Sequence, residues 1–187
     1  MNPYFKRQLA DYVEYHRDPT NCAMHVFGVI FLFLAAILPL NLSSVNVLGL
    51  RANLAIIMVL PVLIYWLLLD VTLGIGILCA AVLLLSTAAT IVDYTSTAGV
   101  CSISTVLIVV GVALQIIGHR VFERRMPALL DNPTHLLLGP MFVMAKLYIA
   151  LGFRNDLAAI IELVPQREPR ISSAYPEEPQ GKSLPHS

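Results

Sequence analysis

Glu14-Tyr15-His16-Arg17-Asp18-Pro19-Thr20-Asn21-Cys22-Ala23-Met24-His25 is the stretch on which the fold turns. A charged N-terminal segment gives way here to a long apolar run, and two histidines and an asparagine stand at the junction. Asp18-Pro19 is a helix-start signal, because Asp caps and Pro suits the first helical position. The helix it opens is expected to run from Pro19 to about Leu38 and to stop before Pro39. At about 1.5 Å per residue it crosses a hydrocarbon core about 30 Å thick. Asn21 and His25 are four apart and share a face of its first turn. Gly28, a turn further on, admits a neighbouring helix.

Upstream, Phe5, Leu9, Tyr12 and Val13 recur at helical spacing and continue to His16, while Lys6, Arg7, Asp11, Glu14, Arg17 and Asp18 take the other side. This predicts an amphipathic helix over 3–18 that lies in the membrane interface, with His16 on its apolar face. Downstream the apolar runs are Leu54–Leu69, Val71–Val92, Val100–Gly118 and Leu136–Leu151, with Asp70 alone between the first two. Gly139-Pro140 and Lys146 interrupt the last run, which reads as a span or as a kinked or re-entrant helix. Gly74 and Gly76 read as helix-packing positions. From residue 164 onward proline and polar residues dominate, which predicts a disordered tail; His186 lies in it and has no assigned role.

Composition fixes the class. The 187 residues are 57% hydrophobic and 13% charged, with mean hydropathy +0.75, whereas a soluble domain carries about 25% charged residues. The expected fold is all-α: a polytopic membrane helical bundle of four or five transmembrane helices with an N-terminal interfacial amphipathic helix. Residues 1–163 form one membrane-embedded domain and 164–187 the tail. A net charge of zero gives nucleic acid no basic surface to bind. Three cysteines without a C-x-x-C pair indicate neither a disulfide framework nor a zinc ribbon. The N-terminus lacks the order of a cleaved signal peptide, and no nucleophile elbow or phosphate loop occurs.

Four of the five histidines stand at the ends of hydrophobic segments: His16, His25, His119 in Gly118-His119-Arg120-Val121-Phe122-Glu123, and His135 after Asn132-Pro133-Thr134. Four runs separate His25 from His119, and an even number of crossings returns the chain to its starting side. The four histidines and the Asp70 turn thus share one membrane face. Lys6, Arg7, Arg17, Arg120, Arg124 and Arg125 flank that face against Arg51 opposite, so the positive-inside rule makes it cytoplasmic.

The histidines read as one metal site divided along the sequence, with His16, His25, His119 and His135 as ligands. Imidazole is the commonest metal ligand; with carboxylate support it suits iron or zinc, and an open position on iron suits oxygen chemistry. Glu123, at i+4 from His119, can orient that imidazole or bind directly. Asp70 can do the same from its turn, and Asn21 can hydrogen-bond a ligand or substrate. These three are the candidate catalytic residues. Each has a plainer reading. A lone interfacial histidine is usually an amphipathic side chain at headgroup level, so it is the four together that argue for a site. In the plain case Asp70 only lets the hairpin turn at the interface, Glu123 pairs with Arg120 or Arg124 in water, and Arg124-Arg125 acts solely on topology. Lys146 either snorkels or neutralises a substrate carboxylate.

Taken in order, His16 with Asn21, His25 and Gly28, then Gly118-His119-x-x-Phe122-Glu123, Pro127-Ala128-Leu129, and Asn132 to Phe142 with His135 and Gly139-Pro140, carry a resemblance. Over residues 4 to about 153 the chain resembles the yeast-type 2-hydroxy fatty acid (2-hydroxypalmitate) dioxygenase family. The resemblance implies an iron(II)-dependent membrane enzyme of fatty acid α-oxidation, with one or two ions. It would take a 2-hydroxy fatty acid and dioxygen to the fatty acid one carbon shorter. His16, His25, His119 and His135 match the family's histidines, and Arg120 or Lys146 would hold the carboxylate. The implied setting is the lipid bilayer, as a multi-pass protein of a bacterial inner membrane or of the endoplasmic reticulum, with self-association into a homo-oligomer left open. Two other classes stand beside this one. Another metal-dependent lipid enzyme, a hydroxylase, desaturase or zinc hydrolase, is separated by iron content and dioxygen dependence. A non-enzymatic small membrane protein is separated by normal folding without metal.

Overall fold

The computed structural model describes residues 2–14, 16–124 and 135–162. The expected tail with His186, and the Pro127-Ala128-Leu129 and Asn132-Pro133-Thr134 motifs, lie outside the described residues.

Helix α1 covers Pro3–Glu14 and α2 covers Pro19–Asn41. α1 thus stops short of the expected limit at residue 18, and His16 lies in the link. Pro19 bars Asp18 from helical geometry, so no single helix runs through from α1 into α2. Asp18 is extended (φ −72°, ψ 127°) and accepts hydrogen bonds from the amides of Thr20 (2.7 Å) and Asn21 (3.0 Å), closing the open end of α2. His16 stays buried all the same, because its amide donates to the Val13 carbonyl and folds the link back under α1. Phe5, Leu9, Tyr12 and Val13 are buried with Leu138, Met141 and Phe142. The apolar face of α1 therefore rests on protein, as a cover over one end of the bundle.

α2 runs through Pro39, where the sequence suggested an end at Leu38. Pro39 has no N–H to give the Ala35 carbonyl. The Ser104 hydroxyl donates to that carbonyl instead (2.7 Å), from the neighbouring helix. In an apolar setting a side chain that satisfies the freed group is what lets a helix continue past proline. A short hairpin that the sequence reading did not anticipate follows, β1 Ser44–Val47 paired antiparallel with β2 Leu50–Asn53. Leu48 (φ 51°) and Gly49 (φ 83°) both have the positive φ of a type I′ turn.

Three further helices complete the bundle core: α3 Leu54–Leu69, α4 Val71–Tyr94 and α5 Thr97–Ile117, the last continuing into a π-helical turn, Gly118–Glu123. α6 His135–Ala150 and α7 Asn155–Glu162 meet at a bend of 119°, a broken span or a re-entrant loop. Among the described residues α2, α4 and α5 with its π turn are long and apolar enough to cross a membrane, and the bent pair would make a fourth crossing. α3, at 16 residues, spans about 24 Å and is shorter than the hydrocarbon core. Outward-facing Ile56, Leu60, Leu68, Leu83, Val106 and Val109 are exposed, an apolar surface suited to lipid rather than water. The fold is an all-α polytopic bundle.

The pair that positions the site is α2 against α5. A Cβ at Gly28 would stand 3.1 Å from the Gly111 carbonyl, and one at Gly111 3.2 Å from the Gly28 carbonyl. Two backbones at this separation tolerate glycine and little else. Their antiparallel packing sets the first turns of α2, with His25, against the last turns of α5, with His119.

Candidate metal centre

α5 does not end as an ordinary helix. The Arg124 amide reaches back to the His119 carbonyl across the π turn, and Arg124 closes it at φ 53°. Such turns occur frequently at functional sites, where they re-aim side chains. Gly118 opens the turn directly over Asn21, whose Oδ1 would overlap any Cβ placed there. Absence of a side chain at Gly118 is thus what lets α2 reach under His119.

His16, His25 and His119 come together from the α1–α2 link, α2 and the π turn. They are 2%, 9% and 1% exposed, and one ring nitrogen from each lies within 4.8 Å of the others. Ring centroids are 4.4 Å apart for His16–His25, 4.8 Å for His16–His119 and 5.8 Å for His25–His119. His16 Nδ1 lies 3.0 Å from the Tyr12 carbonyl. A carbonyl only accepts, so Nδ1 carries the proton and Nε2 presents its lone pair. That lone pair faces His25 Nδ1 at 3.3 Å, a spacing two nitrogens adopt when each binds one ion at about 2.0–2.1 Å. His119 Nδ1 is buried and has no hydrogen-bond partner among the described residues. An orphaned imidazole nitrogen beside a facing pair is costly as it stands. A metal ion among the three would satisfy it, and a backbone carbonyl holding the outer nitrogen of a ligand is the usual support for such an ion. The donor set fits a transition metal.

Around these three, the sequence-derived residues take different places. Glu123 Oε1 accepts from the Asp18 amide (2.8 Å) and from Asn21 Nδ2 (3.0 Å). It ties the start of α2 to the end of α5, and among the described residues neither His119 nor an arginine hydrogen-bonds it. Asn21 is buried beneath Gly118, 1% exposed, and its Oδ1 has no hydrogen-bond partner among the described residues. Asp70 belongs to another network. It caps α4 through the Leu73 amide (3.1 Å) and accepts from Nη1 and Nη2 of Arg154 (3.0 and 3.2 Å), the residue just before α7. Burial pushes its carboxyl up, but Arg154 and the Leu73 amide outweigh burial and hold it below the usual carboxylate range. None of these partners is a histidine, so the structure does not bring Asp70 to the cluster. Arg120 is exposed. Lys146 is half-buried, its Nζ 3.3 Å from Cys22 Sγ and 5.3 Å from the Phe142 ring centre. His135 opens α6, and its side chain lies outside the described residues.

In the sequence Tyr12 stands out only as a member of an apolar face. Its ring stacks on His16 (4.2 Å, 6°) and its hydroxyl hydrogen-bonds His25 Nε2. Its carbonyl fixes His16, so one residue holds two of the histidines from opposite ends. Burial, with Cys22 nearby, raises the phenol pKa well above its ordinary value and keeps it protonated. The signal was present: a Tyr-x-x-x-His pair on a buried helix face leaves a hydroxyl that needs a partner.

The fold and site define a polytopic membrane protein whose interfacial helix closes over a buried three-histidine cluster able to hold a metal ion. Residues 3–151 match the family described as 2-hydroxy-palmitic acid dioxygenase Mpo1-like, and the chain belongs to that family. It is similar to the 2-hydroxy-palmitic acid dioxygenase MPO1 of Saccharomyces cerevisiae, 34% identical over 162 residues, which cover 84% of this chain and 87% of the yeast protein. No solved structure matches it significantly.

Proposed function

We propose that the protein is an iron(II)-dependent dioxygenase of 2-hydroxy fatty acids, giving the fatty acid one carbon shorter. The observation that carries this is the buried His16–His25–His119 cluster with its orphaned His119 nitrogen, inside the region that matches the dioxygenase family. These three residues would hold the iron. His135 is the proposed fourth ligand: it precedes Gly139 by one turn of α6, and a Cβ at Gly139 would lie 3.7 Å from His25 Nε2. Bound iron supplies redox and Lewis-acid chemistry.

The chain's own residues supply orientation and exclusion of water. Tyr12 sets the tautomers of His16 and His25. Glu123 holds Asn21, whose buried Oδ1 lies beneath Gly118, next in sequence to His119, and would accept a hydrogen bond from the substrate's 2-hydroxyl. α1 and Phe142 cover the cluster and keep bulk water from it. On this reading Asp70 acts on fold alone, by capping α4 and anchoring α7. The basic residues Lys6, Arg7, Arg17, Arg120 and Arg124 on the histidine side support a cytoplasmic orientation for it.

The test is conversion of 2-hydroxypalmitate by purified protein with added iron(II), under air and under nitrogen, with product identified by mass spectrometry. The acid one carbon shorter, formed only under air, is the expected result. Turnover that persists under nitrogen, or no such product under air, refutes the proposal.

A further inference from the structure

Next to the cluster a cavity of about 680 Å³ opens between α2, α3, α4 and α6. Its lining has a consistent direction. At the histidine end stand Val29 of α2, Trp66 of α3, Ile77 of α4 and Pro140 of α6. At the other end stand Leu40, Met58 and Leu85, each far from the histidine-side terminus of its helix. The cavity therefore runs along the helix axes, into the depth of the bilayer. Along α2 it extends from Val26 to Leu40, about 21 Å at the helical rise.

Among the described residues one charged side chain lines this channel, Lys146. Its ammonium has Cys22 Sγ and the Phe142 ring as neighbours, and among the described residues no carboxylate pairs with it. Cys22 stands one turn before His25 on α2. A cation at membrane depth is expensive and is usually paired or functional. Here it sits at the polar end of an apolar tube that begins beside the histidines.

We propose that this channel binds the acyl chain of the substrate, with Lys146 taking its carboxylate. Arg120, exposed outside the channel, is not the carboxylate's partner. The choice of a 2-hydroxy acid as ligand rests on the reading above; the channel itself rests on its lining and on Lys146. Chain length is then set by the far half of the tube. Ala36, on α2, and Ala81, on α4, are the small residues whose enlargement would shorten it.

Trp66 is the chain's single tryptophan and lines the channel, so occupancy has its own signal without turnover. Full-length protein in detergent is titrated with 2-hydroxypalmitate brominated along its chain, and quenching of tryptophan fluorescence is followed. Saturable quenching that unlabelled 2-hydroxypalmitate reverses is expected. Lys146→Met should weaken it about tenfold or more, as loss of a charge-assisted contact does, and Lys146→Arg should retain most of it. Ala81→Phe should abolish quenching by brominated 2-hydroxypalmitate and leave saturable quenching by brominated 2-hydroxyoctanoate. That retained quenching also shows that the variant is folded.

Several results overturn the proposal. One is the absence of saturable quenching. Another is equal quenching by brominated phosphatidylcholine that the hydroxy acid cannot displace, which would mean a lipid-filled crevice. A third is an unchanged titration in Lys146→Met. Binding without dioxygen-dependent turnover would remove the dioxygenase reading and keep the channel; turnover without quenching would do the reverse.

Discussion

Tyr12→Phe removes one oxygen and nothing else. The ring stays, and with it the stack on His16 and the packing against Phe142. What goes is the hydroxyl at His25 Nε2. If His25 binds metal through Nδ1, the nitrogen that faces His16, then Nε2 carries the proton and donates it to the tyrosine oxygen. The hydrogen bond exists with and without metal, so only its strengthening on binding changes affinity. A neutral buried hydrogen bond contributes about 1 kcal/mol, and a charge-assisted one roughly twice that. The difference, about 1 kcal/mol, corresponds to a loss of about 5-fold in metal affinity. This lies just below the about 10–100-fold typical of outer-shell changes. Metal-free protein should lose about 1 kcal/mol, a fall of about 2–4 °C in melting temperature for a chain of this size. Anaerobic equilibrium dialysis against iron(II), with cobalt(II) as an oxygen-stable check, measures the first quantity, and thermal melting in detergent measures the second. Affinity within twofold of wild type would refute the claim that Tyr12 orients His25.

Glu123→Gln keeps one acceptor but loses the charge that holds the Asp18 amide and Asn21; iron affinity in the same dialysis should fall by about 10-fold or more, and less than in any histidine variant. Asp70 ionises more readily in the folded chain than in the unfolded one. Its stabilising contribution is therefore present above the unfolded carboxylate value, about 3.9, and is lost as pH falls through the lower folded value. Asp70→Asn retains the cap on Leu73 and breaks the ion pair. It should destabilise at neutral pH by no more than about 3–5 kcal/mol, tempered because Arg154 keeps Asp156, and its melting temperature should vary less below pH 4 than that of wild type. Equal acid sensitivity in both would contradict the assignment.

Much of this was legible in the sequence because lipid simplifies the problem. Apolar runs of span length have few fates, and the parity of crossings returns His119 to the side of His25 before any contact is known. Gly28 announced a close helix neighbour, though only the structure names Gly111 as its counterpart. What was not legible depends on tertiary partners. Pro39 looked like a stop until Ser104 supplied the missing donor. Asp70 looked like a site residue because Arg154, 84 positions away, carries no mark in the sequence of pairing with it. Glu123 and His119 are four apart, but it is the Asp18 amide and Asn21 that hydrogen-bond the carboxylate, both at Oε1. Tyr12 was hidden by its own amphipathic character, its ring fitting the apolar pattern while its hydroxyl does the orienting.

The central claim is that His16, His25 and His119 hold a metal ion. Metal analysis of anaerobically purified protein, beside His16→Ala, His25→Ala and His119→Ala made in the same way, tests it most directly. Stoichiometric iron in the wild type, lost in each variant, with a lowered melting temperature on chelation of the wild type and no such shift in the variants, is the predicted result. Metal retained in full by any of the three variants, or a wild-type protein that melts at the same temperature with and without metal, would contradict the account.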